Sequence, residues 1–216
     1  MQNAVSLDSR IDWIEPDIRL YYDTASRYKF DAHLAGSNTI YDPEEDIPEE
    51  DVSVFIEPVV RSGDTRPYLV VPDSRGKVRN WHVLRQAGFW KDMIVICTRS
   101  TPKRYIGYLK KRHVKYFISG DKKVDMRTAL LKLNKKYNIR SVLLDSGGTL
   151  NGIMLRTGLV TDISLLIQPN LVGGSSQQTF FRAEDLTAMD DVIKLKLVTM
   201  EKLKGQVVWL RYKVIS

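Results

Sequence analysis

Residues 142–174, VLLDSGGTLNGIMLRTGLVTDISLLIQPNLVGG, constrain the fold most. Val142, Leu143 and Leu144 form an apolar run too short for a helix and suited to a buried strand. Asp145 stands at its carboxyl end. Gly147 and Gly148 let the backbone turn sharply and approach a ligand with no Cβ in the way. Leu150, Ile153, Met154 and Leu155 predict a short helix burying one face, and a second apolar strand follows. Amide N–H groups at a helix start lack intrahelical partners. Strand, glycine turn and helix N-terminus together can seat a phosphate or pyrophosphate. They equally make a tight strand–helix turn with no ligand, because short glycine motifs are common.

The rest of the chain alternates in the same way. Residues 2–5 read as a first strand and residues 12–17, with Pro16, as a turn. Residues 18–30 suit a helix, with Leu20, Tyr21, Thr24, Ala25 and Tyr28 on one broad face. Strands are predicted over 32–35, 68–71, 93–98 and 114–118. Residues 126–137 make the clearest helix, because Met126, Leu130, Leu133 and Tyr137 share a face opposite lysines. The run Asp-Pro-Glu-Glu-Asp-Ile-Pro-Glu-Glu-Asp at 42–51 reads as a solvated surface loop. Its carboxylates are not spaced like a calcium loop. Alternation through residue 168 is the pattern of a mostly parallel sheet. The end differs: Ile193, Leu195 and Leu197 alternate with lysines, and Val208, Leu210, Tyr212 and Val214 alternate after Gly205, as in an antiparallel hairpin. The expected fold is one α/β domain over residues 1–216, a mostly parallel sheet flanked by helices and closed by that hairpin.

A chain of 216 residues, 43% hydrophobic and 27% charged, can bury a sizeable core. Cys97 is the one cysteine, so no intramolecular disulfide forms. It follows an apolar strand and reads as a buried residue rather than a nucleophile. No zinc-like spacing of Cys and His exists, and no metal is expected. No apolar run approaches the ~20 residues of a membrane span, and no signal architecture opens the chain. The expected location is the cytoplasm. A net charge of +7 can attract nucleic acid or steer phosphorylated ligands. Lys103, Arg104, Lys110, Lys111, Arg112 and Lys115, with Tyr105 and Tyr108 between them, form the densest basic segment. It reads as a solvated helix with Tyr105 and Leu109 inward, and nucleic-acid binding is not the expected primary role.

Several of these segments resemble a known family in family order. Asp-Ser-Gly-Gly-Thr-Leu-Asn-Gly from Asp145, Leu-Arg-Thr-Gly-Leu-Val-Thr-Asp-Ile from Leu155 and Pro-Asn-Leu-Val-Gly-Gly from Pro169 resemble the C-terminal reductase domain of RibD-type riboflavin biosynthesis proteins, which has a dihydrofolate reductase-like fold. Ser6-Leu7-Asp8-Ser9-Arg10-Ile11, the run Asp31 to Ile40, and Val70-Val71-Pro72-Asp73-Ser74 resemble further family elements. The resemblance spans about residues 3 to 214. Family members have a longer first strand, so the start is expected to be shortened.

Open α/β sheets bind ligands at the carboxyl ends of their strands. Gly36–Thr39, Asp73-Ser74, Ser119-Gly120 and Asp145–Thr149 are four such ends with small or polar groups. The resemblance implies NADPH as cofactor, with Gly147, Gly148, Thr149, Leu150 and Asn151 at its pyrophosphate. It implies Thr39 near the nicotinamide half and Ser74 on the adenosine side, where Arg75, Lys77 and Arg99 could meet a 2′-phosphate. Turn chemistry is the alternative for Thr39 and Ser74, and solvent exposure for the cations. Asp145 takes the place of a substrate-contacting glutamate, one methylene longer in the family; its alternative is to cap the following helix. Asp8 orients the nicotinamide end or stabilises a turn. Arg27, on the helix before Asp31, stands about where the family binds the substrate phosphate, with a surface ion pair as the alternative. Trp13 stacks on an aromatic ligand or fills core.

The implied activity is NADPH-dependent reduction of a ribosylaminopyrimidine 5′-phosphate at C1′, giving the ribitylamino product, by a stand-alone homodimeric reductase. The terminal apolar hairpin is the expected interface. Two departures bear on the substrate. The arginine-bearing Leu-Thr-x-Arg that the family places after Asp42-Pro43 is replaced by the acidic run, and Ser9 replaces a glycine. They leave open a diverged reductase of a pterin or another small heteroaromatic compound, or a non-catalytic RNA-binding protein on the same fold.

Overall fold

The computed structural model describes residues 1–44, 46–175 and 178–215. In chain order the elements are β1 (Gln2–Val5), α1 (Ile18–Ala25), β2 (Ala32–Leu34), α2 (Ser37–Ile40), β3 (Tyr68–Pro72), α3 (Trp81–Gln86), β4 (Asp92–Cys97) and α4 (Lys103–Lys111). Then come β5 (Lys115–Ile118), α5 (Met126–Tyr137), β6 (Val142–Leu144), α6 (Gly148–Arg156), β7 (Asp162–Ile167), β8 (Lys194–Lys202) and β9 (Val208–Ile215). The chain forms two compact units, Met1–Lys29 with Leu143–Ser216, and Phe30–Val142.

In the unit of residues 30–142, β2, β3, β4 and β5 run parallel, and the sheet order is β5-β4-β3-β2-β6. All six residues of β4 are buried. An interior parallel strand meets apolar neighbours on both faces, which is why Met93–Cys97 is an unbroken apolar run. The buried Asp92 carboxylate is paired with Lys115. Leu69, Val71, Trp81, Met93, Val95, Tyr105 and Leu109 are centred in the core. Helix α4 buries Tyr105 and Leu109 and turns its lysines outward, as its sequence predicts. Helix α5 begins where the Asp125 carboxylate accepts the Thr128 N–H at 3.1 Å. It ends at Asn138 in the left-handed region, φ 54°. Cys97 is buried, and burial pushes its thiol up to about 12.

Two features of this unit differ from expectation. The acidic run is not wholly solvated. Glu50 accepts from Arg112 Nε at 2.6 Å, and this pairing holds its carboxyl below the usual range. Asp51 accepts the Ser53 N–H at 2.6 Å and caps a short 3-10 turn. Glu45 lies outside the described residues. Helix α3 was not predicted; its one and a half turns are too short to show a period.

The other unit holds a four-stranded sheet ordered β1-β7-β9-β8. β1 pairs parallel with β7, and β7–β9 and β8–β9 pair antiparallel. The terminal hairpin is therefore as the alternation predicts. Every residue of β8 is exposed, so its alternation marks no buried face; β8 is an edge strand. Tyr21, Leu166, Val207 and Trp209 form the local core. Burying one such side chain contributes about 2 kcal/mol. Helix α1 stops at Ala25, short of the expected residue 30. The Ser26 hydroxyl donates to the Asp23 carbonyl at 2.9 Å and the Ser26 N–H to Tyr22 O. The N–H bond continues the helix, whereas the hydroxyl takes the carbonyl that the Arg27 N–H would use in a longer one.

Candidate active site

The turn between β6 and α6 carries the signature read from the sequence. Gly147 is the N-cap residue, extended at φ −74° and ψ 168°, and as a glycine it brings no capping side chain of its own. Amides at such a helix start suit an anion. Asp145 accepts the Tyr21 hydroxyl at 2.7 Å.

The glycines divide into two roles. A Cβ at Gly147 would meet only Ile11 Cδ1, at 3.7 Å, an ordinary contact. A Cβ at Gly148 would overlap the Thr179 carbonyl oxygen, and one at Gly152 the Arg182 carbonyl oxygen. The Arg182 N–H donates to Gly148 O at 3.0 Å. Gly148 and Gly152 are therefore glycine because the chain at 179–182 lies against α6. Only Gly147 keeps the open approach that the sequence suggested for the pair. Asn151 is fully buried, and the two protons of its Nδ2 are shared among Asn3 Oδ1, Ser146 O and Phe180 O at 2.8–2.9 Å. The Asn151 backbone N–H donates to Gly147 O at 3.2 Å. Its side chain thus ties β1 and the 180 segment to the turn. Thr149 is exposed and Leu150 half-buried; Ile153, expected to face inward, is 41% exposed.

Asp8 sits in a second turn. It accepts from Ser6 Oγ at 2.6 Å, Val172 N at 3.1 Å and Gly173 N at 2.6 Å. These donors hold its carboxyl well below the usual carboxylate range, the Ser6 hydroxyl most strongly. Arg10, almost fully buried, donates from Nε and Nη2 to Asp12 at 3.0 and 2.7 Å, and from Nη1 to Gly173 O. Asp8 and Arg10 together anchor the Pro-Asn-Leu-Val-Gly-Gly segment.

Ser9, between them, has φ 68°. The turn has kept the left-handed geometry that suits glycine. We expect Ser9→Gly to stabilise the protein by about 1 kcal/mol, from relief of that strain. Chemical denaturation would read this as a higher midpoint at unchanged slope.

Arg27 lies beyond the end of α1, not on a helix as expected. It pairs with Glu201 at 3.1 Å and stacks over Trp209 at 4.6 Å. Trp13 fills no core: it is 87% exposed, with φ 57°.

Residues 30–142 carry the other predicted groups. β2, β3 and β5 are parallel strands of one sheet, so Gly36–Thr39, Asp73-Ser74 and Ser119-Gly120 lie at the same edge. Thr39 is exposed in α2, and its N–H donates to Gly36 O at 2.9 Å. Ser74 is half-buried, and its carbonyl accepts the Thr101 hydroxyl at 2.9 Å. The buried Asp73 carboxylate accepts the Lys77 and Val78 N–H groups, both at 3.0 Å, and shapes the turn that presents Ser74 and Arg75. Arg75 is exposed. Lys77 Nζ lies 3.4 Å from Asn38 Oδ1. Arg99 pairs with Asp121 at 3.0 Å on the surface.

The model of the RibD C-terminal domain matches residues 2–209. The chain belongs to this family. A 2,5-diamino-6-ribosylamino-4(3H)-pyrimidinone 5′-phosphate reductase of Methanothermobacter thermautotrophicus is 28% identical over 184 residues, covering 85% of this chain and 79% of that protein. The structure of Acinetobacter baumannii RibD superposes with a TM-score of 0.70 at 21% identity, over 100% of this chain and 57% of that one. The riboflavin biosynthesis reductase Rib7 of Saccharomyces cerevisiae superposes with a TM-score of 0.65 at 22% identity, over 99% of this chain and 88% of that one. The chain thus spans little more than half of the Acinetobacter baumannii RibD chain.

Within a RibD C-terminal domain these residues can do three things. The glycine start of α6 can offer amides to an anion, the strand ends of residues 30–142 can offer polar groups to a ligand, and Asp145 can accept from N–H or O–H groups. Sequence reading missed Tyr21 as Asp145's partner. It stood out only as an apolar-face residue of α1, and no spacing rule pairs positions 124 apart.

Proposed function

We propose that the protein is an NADPH-dependent reductase that converts a ribosylaminopyrimidine 5′-phosphate to its ribitylamino product by hydride transfer to C1′, in riboflavin synthesis. Membership of the RibD C-terminal domain family over residues 2–209 carries this reading. Gly147, Gly148, Thr149 and Leu150 would hold the pyrophosphate through backbone amides, and Asn151 would hold the turn itself. Thr39 would lie by the nicotinamide half and Ser74 by the adenosine, with Arg75 and Lys77 for a 2′-phosphate. When bound, the nicotinamide supplies the hydride. Asp145 would accept from the pyrimidine amino edge or the sugar hydroxyls. Asp8 would fix the turn beside the nicotinamide end, and Arg27 would turn from Glu201 to the substrate phosphate. The domain is residues 1–216, both units together. The proposed site of action is the cytoplasm. No helix among the described residues is long and apolar enough to cross a membrane. We also propose a homodimer through β8, where Leu195, Leu197, Val198 and Met200 are 41–70% exposed on an edge strand.

A second reading, reduction of a pterin or another small heteroaromatic compound, is favoured by one feature. No arginine follows Asp42-Pro43 as in the family, and Arg27 is engaged by Glu201. The RNA-binding reading is weaker: within the basic segment Arg112 is engaged by Glu50 and Lys115 by Asp92.

Calorimetric titration with NADPH tests the cofactor site. Gly147→Asp is the informative variant, since a side chain there meets ordinary contacts, whereas Gly148→Asp would displace the 179–182 segment whether or not a cofactor binds. Micromolar binding by wild type, weakened about 100-fold by the added carboxylate (about 2.7 kcal/mol), is the expected result. Equal binding by both would remove the pyrophosphate from this turn.

A further inference from the structure

We infer that Tyr21 is a positioning residue that sets the orientation of the Asp145 carboxylate toward substrate; the inference rests on the reductase reading of this site. Asp145 follows β6 directly and is only half-buried. An aspartate at such a place has three χ1 wells and a broad χ2 open to it. A substrate contact needs one of them.

Tyr21 restricts that freedom. Its ring is packed in the core with Leu166, Val207 and Trp209. Its carbonyl accepts the Gln2 side-chain N–H at 2.7 Å, so helix α1 is tied to β1 at this residue. The hydroxyl therefore has a fixed position, set by core packing and by two elements. From there it donates to Asp145 Oδ1 at 2.7 Å. Gln2 O lies 3.0 Å from the same hydroxyl. One proton serves both, and the shorter, charge-assisted contact is the stronger. Tyr22, the next residue, stands T-shaped to Tyr21 with centroids 5.2 Å apart and is 47% exposed.

Burial, and then the Asp145 charge, push the Tyr21 phenol well above its usual range. Tyr21 is thus a hydrogen-bond donor, not a phenolate, wherever an enzyme of this kind works. A carboxylate held by a phenol donor acts as an acceptor. It selects ligands that present N–H or O–H groups, such as an aminopyrimidine edge or ribose hydroxyls. The arrangement also suits a side chain one methylene shorter than glutamate, because the phenol fixes where the shorter carboxylate stops.

Tyr21→Phe keeps the ring that fills the core and deletes only the donor. It should be compared with Asp145→Ala and with the double variant, using 2,5-diamino-6-ribosylamino-4(3H)-pyrimidinone 5′-phosphate as substrate and as calorimetric ligand. Tyr21→Phe is expected to raise KM and the calorimetric Kd for the pyrimidine phosphate about tenfold. It should change kcat less and leave NADPH affinity as in wild type, which also reports an intact fold. The double variant should be no worse than Asp145→Ala, because Tyr21 acts through Asp145. Wild-type KM in Tyr21→Phe, a fall in NADPH affinity parallel to the loss of activity, or additive losses in the double variant would each overturn the proposal and leave the reductase reading standing. A wild type that neither binds NADPH nor turns over the pyrimidine phosphate would end that reading, and the role of Tyr21 with it.

Discussion

Gly152→Ala is expected to destabilise the protein by about 3 kcal/mol, although alanine is the better helix former. The added methyl gains about 1 kcal/mol of helix propensity. It also occupies the position of the Arg182 carbonyl oxygen, with the Arg182 carbonyl carbon 2.8 Å away. Both are backbone atoms, so no side-chain rotation relieves the overlap; the 179–182 segment must leave α6. That segment carries the Phe180 carbonyl that accepts from Asn151 Nδ2 at 2.8 Å. Losing this bond takes a donor from the Phe180 carbonyl, while the two Asn151 amide protons keep Asn3 Oδ1 and Ser146 O as acceptors. For a chain of this length the thermal midpoint should fall by about 6–12 °C. Calorimetric melting of the variant checks this. A midpoint within a degree of wild type would mean that the 179–182 segment does not bear on α6 as described.

Asp145→Ala is expected to lower kcat/KM by about 100-fold while the fold and NADPH affinity remain. A hydrogen bond to a charged group contributes about 1.5–3 kcal/mol, and the lower end of that range already exceeds tenfold. The loss should fall on the pyrimidine substrate rather than the cofactor, because the carboxylate is held by Tyr21 and the proposed pyrophosphate contacts are backbone amides. Steady-state kinetics in each substrate separately, beside NADPH calorimetry, reads the difference. An equal loss of NADPH affinity would move Asp145 from the substrate to the cofactor.

Much of this fold is legible in single residues. The Asp125 and Asn138 caps bound α5 because each satisfies helix-end groups through local chemistry. The β4 run declares a strand covered on both faces. The hairpin follows from alternation alone. What was not legible depends on partners distant in sequence. Gly148 looks like a ligand glycine, yet a chain segment some thirty residues on lies against it, as it does against Gly152. Asn151 looks like a pyrophosphate contact, but its side-chain amide is spent on Asn3, Ser146 and Phe180. Helix α1 is a local exception: the Ser26 hydroxyl takes the Asp23 carbonyl, a choice the apolar period does not reveal. Trp13, which could have filled core, stands 87% exposed.

The central claim is that the chain reduces a ribosylaminopyrimidine phosphate with NADPH, and one measurement bears on it most directly. Purified protein is mixed with NADPH and 2,5-diamino-6-ribosylamino-4(3H)-pyrimidinone 5′-phosphate, and loss of the reduced-nicotinamide absorbance is followed beside product mass. Consumption of NADPH matched one to one by a ribitylamino product two hydrogens heavier is the predicted result. NADPH bound but not consumed with this substrate, and consumed instead with a pterin or dihydrofolate, would contradict it.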